Sequence, residues 1–93
     1  MKMYLVKHTA IATQDNPNFA GQTAIAYYGK DQTMLVYVGS HAKDVHMEQY
    51  TNKYMIREYG YKRECDARRS WIYKNPDEGK YWTVSVEIVS VEI

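Results

Sequence analysis

The last ten residues are the pentapeptide VSVEI written twice, 84–88 and 89–93. The odd length of that unit constrains the fold more than any other feature of the chain. Side chains of a strand alternate between its faces with a period of two, so a five-residue repeat turns its second copy over. Trp82, Val84, Val86 and Ile88 fall on one face, and Val89, Val91 and Ile93 on the other. A β-bulge near Ile88–Val89 would restore the phase. Without one, the last five residues turn to a new neighbour or to a second chain, which would give a homodimer pairing its tails through Val89, Val91 and Ile93. A duplication merely tolerated at the end of the chain is the third reading.

The remaining elements follow from period and punctuation. Residues 2–13, KMYLVKHTAIAT, are rich in β-branched residues without a helical stripe. Met3, Leu5 and Ile11 share one face and Tyr4, Val6 and Ala10 the other, the pattern of a strand covered on both faces over part of its length. QDNPNFAGQ reads as a loop. TAIAYY (23–28) and TMLVYVG (33–39), joined by Gly29-Lys30-Asp31-Gln32, read as an antiparallel hairpin. A helix is expected over roughly 44–58, capped by Ser40 or Asp44, with Met47, Tyr50 and Tyr54 on one side and Gly60 as a left-handed terminator. A second helix, about 62–74, has a Cys65, Arg68, Ile72 stripe beside Ala67 and Trp71, and Asn75-Pro76 stops it. NPDEG makes a turn into the tail strand, 80–93. The expected class is α+β, with strand order along the chain β-β-β-α-α-β: an antiparallel sheet of about four strands with helices packed on one face.

The 93 residues suit a single domain, 1–93, of ordinary globular composition. One cysteine, Cys65, leaves no internal disulfide, and no segment reads as a signal peptide or a membrane span; the cytoplasm is the expected compartment. Ten tyrosines stand against one phenylalanine. Tyrosine suits boundaries where one end of the ring is buried and the other wet, and it makes a rigid contact residue. Some of these rings serve the core with their hydroxyls at its rim. The surplus is expected to touch another macromolecule.

Catalytic chemistry finds little to work with. On a helix His41 and His46 would point about 140° apart, unsuited to one ion. Cys65 has arginine neighbours that would lower its pKa, but no adjacent histidine to act as a base, and its stripe predicts a buried small residue. The carboxylates are scattered, and there is no phosphate loop or nucleophile elbow. We expect no enzyme, no metal site and no cofactor.

Electrostatics gives the one constellation. Residues 50–74 hold seven basic and three acidic side chains, a net +4, against five and eight elsewhere, a net −3, which together make the overall +1. The same segment carries Tyr50, Tyr54, Tyr59, Tyr61, Trp71 and Tyr73. Arginine with aromatic rings serves protein–protein hot spots and single-stranded nucleic-acid platforms alike, and a basic helix face can also be simply solvated. Tyr59, Tyr61, Arg63, Arg68, Arg69 and Trp71 are the expected partner-binding residues.

KHTAIAT, DNPNFAGQT, YGYKRECDARRS and the closing KYWTVSVEIV together resemble small accessory proteins of bacteriophages and related mobile elements, among them anti-CRISPR inhibitors of bacterial immunity. The likeness is one of length, element order and tyrosine richness, and it carries no functional residue over. It implies a non-catalytic protein in the host cytoplasm that binds a defence nuclease such as a CRISPR effector. Many inhibitors of that type that imitate DNA are strongly acidic. The basic segment here implies occlusion of a surface or locking of a conformation instead. The alternative is a single-stranded RNA or DNA binder using residues 50–74.

Overall fold

The computed structural model describes residues 1–44, 46–49, 51–73 and 79–93, without the side chains of Gln32, Leu35, Val36, Glu48, Ile72 and Tyr73. The expected positions of Val45, Tyr50, Lys74 and the Asn75-Pro76 stop with its turn lie outside the described residues. Four strands, β1 (Lys2–Ala12), β2 (Thr23–Gly29), β3 (Gln32–Gly39) and β4 (Trp82–Glu92), form one antiparallel sheet in the order β3-β2-β1-β4. The fold is α+β, as the alternation of periods predicts. The first and last strands of the chain are neighbours throughout, from Lys2 opposite Glu92 to Ala12 opposite Trp82.

No bulge interrupts β4: its pairing with β1 runs without a shift, and the phase change of the repeat stands. Both faces of the sheet are covered instead. On one face Met3, Leu5, Ile25, Tyr27 and Val91 are buried with Ile56, with Val89 and Ile93 packed against them. On the other, Val6, Tyr61 and Ala67 are buried, with Tyr4, Tyr28, Val86 and Ile88 alongside. Ile56 belongs to α1 (Lys53–Tyr59) and Ala67 to α2 (Glu64–Tyr73). The two helices therefore lie on opposite faces, which corrects the expectation of helices on one face only. The repeat supplies apolar residues to both layers, and β1 does the same with Leu5 and Val6.

The chain passes from one face to the other in the plane of the sheet. β2 pairs with β1 from Val6 to Ile11 only. Tyr61 fills the lane beyond, exchanging backbone hydrogen bonds with Tyr4 at 2.8 Å each way. Two glycines let the backbones meet there. A Cβ on Gly29 would sit 2.8 Å from the carbonyl carbon of Tyr59 and closer still to its oxygen. One on Gly60 would sit 3.2 Å from Met3 Cε and press on the Ile56 carbonyl. Gly60 has φ −67°, so close approach explains the glycine here rather than the left-handed conformation expected from sequence.

The expected helix over 44–58 is shorter and starts later. Two 3-10 turns, Ala42–Asp44 and Met47–Gln49, precede α1, and Asn52 caps it by accepting a 2.8 Å hydrogen bond from Met55 N–H. Ser40 and Asp44 do not cap it. At the far end of the sheet, Asn16 ties the 13–22 loop to the start of β4. Its Oδ1 accepts from the N–H groups of Asn18 and Phe19, and its Nδ2 donates to the Tyr81 carbonyl at 3.0 Å.

A candidate contact surface on the second helix

α2 begins with Glu64 and Asp66, acids that suit the positive end of its dipole, and carries Arg68 and Arg69 at its middle. Arg63 holds Asp66 through two hydrogen bonds, Nε to Oδ2 at 3.0 Å and Nη2 to Oδ1 at 3.1 Å. That bond is the main reason the Asp66 carboxyl lies below, and the Arg63 guanidinium above, its ordinary pKa. The positive charges of Arg69 and of Lys30, from the β2–β3 turn, also favour the Asp66 anion, without an ion pair to it within 4 Å among the described residues. One turn on, Arg68 pairs with Glu64. Arg69 makes no ion pair within 4 Å among the described residues.

Rotation of the helix is set by Ala67, fully buried against the sheet. A small residue at that point brings the backbone of α2 close to Val6. Cys65, two positions earlier, is carried to the far side and is exposed, contrary to the expected buried stripe. Arg68 and Trp71, three apart, flank a shallow depression whose floor is Val86, Glu87 and Ile88 of β4. At about 70 Å³ it accepts a side chain rather than a cofactor. Trp71 is 36% exposed, enough for one edge of the indole to meet a partner.

The six expected residues thus separate. Arg68 and Trp71 come together over the edge of the sheet, and Arg63 pairs with Asp66, whose anion the charges of Arg69 and Lys30 also favour. Tyr59 is half-buried at the end of α1, its carbonyl accepting the Lys30 N–H at 2.6 Å. Tyr61 is core: it is 8% exposed, and its hydroxyl donates to the Gly29 carbonyl at 3.2 Å. Its ring is spent on the fold, not on a partner.

The tyrosines divide in the same way. Tyr27 is buried; Tyr4 and Tyr28 are half-buried; Tyr37, Tyr54 and Tyr81 are exposed. The exposed rings do not form one patch. Tyr54 lies on α1, Trp71 on the opposite side of the sheet, and Tyr81 at the end of the sheet near Phe19, whose ring meets Trp82 at 5.8 Å. Sequence reasoning missed that loop-end group. Its signal is Asn16, an Asx residue ahead of Phe19 whose side chain closes the loop.

Val89, Val91 and Ile93, the expected dimer contact, pack into the chain's own α1-side core. Among the described residues no three metal-ligating side chains converge, and no helix is long and apolar enough to cross a membrane. Comparison with family models, with curated proteins and with solved structures finds no match.

Proposed function

We propose that this chain is a non-catalytic protein-binding module whose contact surface is the outer side of α2 with the adjoining edge of β4. The observation that carries the reading is the pairing of Arg68 with a half-exposed Trp71 beside Val86 and Ile88. Arginine and tryptophan over an apolar floor are the composition of binding hot spots, where a few anchors supply most of the affinity. The Arg68–Glu64 ion pair holds the Arg68 side chain in place before a partner arrives, which reduces the entropy lost on binding.

The resemblance to phage accessory proteins supports a role as an inhibitor of a host defence nuclease of the CRISPR-effector kind. Occlusion is the mode that suits a surface carrying Arg63, Arg68 and Arg69. Expression in bacteria with an active CRISPR nuclease should restore plaquing of a targeted phage. Trp71→Ala should abolish that rescue and weaken binding to the purified effector by about 30-fold or more, the range of a hot-spot truncation. Absence of rescue and of effector binding would end the inhibitor reading. Retention of full affinity by Trp71→Ala and Arg68→Ala would end the placement of the surface.

A second reading rests on Lys30, Arg63 and Arg69, whose charges all favour the Asp66 anion. It makes the basic segment a single-stranded nucleic-acid binder. Phosphate contacts would then make log affinity for an oligonucleotide fall linearly with log salt; a flat response excludes it.

A further inference from the structure

We infer that the open edge of β4 pairs antiparallel with the same strand of a second copy of this chain, about a two-fold axis at Val86. The dimer uses the β4 edge that adjoins the proposed contact surface, where Val86 and Ile88 also floor the depression beside Arg68 and Trp71, so a partner bound there would compete with the dimer. Among the described residues, β4 leaves one set of its backbone groups unused. Ile93 N–H donates to the Met1 carbonyl at 2.8 Å, and Thr13 N–H to the Tyr81 carbonyl at 3.0 Å. On the β1 side, Tyr4 and Ala12 turn their N–H groups the other way, to Tyr61 and Gln22. With Tyr4 opposite Ser90 and Ala12 opposite Trp82, parity follows: odd-numbered residues of β4 bond to β1, and even-numbered ones point outward. The Trp82 carbonyl accepts from Gly79 N–H at 3.3 Å, so among the described residues the free run is Val84, Val86, Ile88 and Ser90.

Edge strands are normally blunted by brevity, lysine, proline, a bulge or a cover. β4 has eleven residues, neither lysine nor proline, and no register shift; its charges are Glu87 and Glu92, and among the described residues no strand lies beyond it. The opposite edge, β3, is marked by an irregularity in its pairing with β2 at Tyr27/Tyr28.

The sequence of β4 selects a copy of itself as the occupant. Pairing about Val86 sets Val84 against Ile88 of the partner copy and Val86 against its own counterpart, all on the α2 side. On the α1 side it sets Ser85 against Glu87 of the partner copy, a hydroxyl donor facing a carboxylate, twice per dimer. Pairing about Glu87 would oppose two carboxylates directly. Pairing about Ile88 would set Val84 against Glu92 and Val89 against Glu87. Pairing about Ser85 would also set Val84 against Val86 and Thr83 against Glu87, but it puts Ile88 opposite Trp82, whose carbonyl Gly79 N–H already occupies. Of these registers the Val86 axis alone joins apolar to apolar and donor to acceptor while using the free groups of 84, 86 and 88.

The test is analytical ultracentrifugation of the full chain from about 1 μM to 1 mM, with amide hydrogen exchange over the same range. A concentration-dependent dimer is expected. The amides of Val84, Val86 and Ile88 should become protected as it forms, while those of Ser85, Glu87 and Val89 stay unchanged because β1 already holds them. Ser85 is exposed, so charge can be introduced without entering the core. Ser85→Glu should weaken the dimer and Ser85→Lys strengthen it, each by roughly 2- to 30-fold for two cross-strand pairs. A monomer across the whole range overturns the inference. So does a dimer in which neither substitution changes affinity, or in which the even-numbered amides stay exposed.

Discussion

Replacing Gly29 by alanine tests the place where the chain crosses the sheet. The new Cβ would lie 2.8 Å from the Tyr59 carbonyl carbon and 3.1 Å from its Cβ, with the oxygen nearer still. Neither side can yield cheaply. Gly29 is held in β2, and the Tyr59 carbonyl accepts both the Cβ clash and the 2.6 Å hydrogen bond from Lys30 N–H. Relief requires the hairpin to lift off the end of α1. Overpacking costs about 1–3 kcal/mol, and loss of the Lys30–Tyr59 bond about 0.5–1.5. Reduced freedom of the unfolded chain returns about 0.4–1 kcal/mol, leaving a net loss of roughly 0.5–4. For a domain of this size that is a large part of a total of about 5–14 kcal/mol. The melting temperature should fall by about 4–8 °C per kcal/mol. Urea denaturation followed by circular dichroism measures it. Gly79→Ala, where a Cβ meets nothing within 4 Å, should be neutral. Gly21→Ala should cost about 1–2 kcal/mol through its φ of +83° alone. A Gly29→Ala variant within about 0.5 kcal/mol of the parent would refute the close-approach argument.

Two further outcomes follow. Asn52→Ala should lose about 0.5–2 kcal/mol by removing the cap on Met55 N–H, whereas Ser40→Ala should lose nothing measurable in the same denaturation assay. His8 Nε2 is buried without a hydrogen-bond partner among the described residues, and burial lowers the His8 pKa below its ordinary 6.5. The unfolded chain then takes up a proton at higher pH than the folded one, so this contribution to stability is present above pH 6.5 and is lost as pH falls through the lower folded value. Melting temperatures between pH 7.5 and 5 should fall less in His8→Leu than in the parent; parallel curves would remove His8 as the cause.

The strands and the class of the fold were legible because period-two patterning and Gly-Lys-Asp turn chemistry are local signals. The double covering was legible in β1, where Leu5 and Val6 both read as apolar faces, but the odd repeat pointed to a bulge, a second chain or a tolerated duplication instead, and the consequence for the helices was not legible. Where a helix packs depends on the lane that β2 vacates beside Tyr4, and no local pattern marks a vacancy. The first helix was overextended because Met47 and Tyr54 mimic a helical stripe. Backbone hydrogen bonds of the 3-10 type and the Asn52 cap break that run into three pieces. In the candidate surface, composition located the right helix but not its rotation. Ala67 fixes that rotation, which exposes Cys65 and leaves Trp71 at the sheet edge. Tyr61 resembled a contact residue by composition, and only the Gly29 carbonyl, 32 residues away in sequence, shows why it is buried.

The central claim is that a five-residue repeat pays its phase change into two cores, one on each side of the sheet. Nuclear Overhauser contacts from methyl groups test it directly. Ile56 should show contacts to Met3 and Leu5, and Ala67 to Val6, with no cross-talk between the two sets. Contacts from both helices to the same set of β1 side chains would contradict the account.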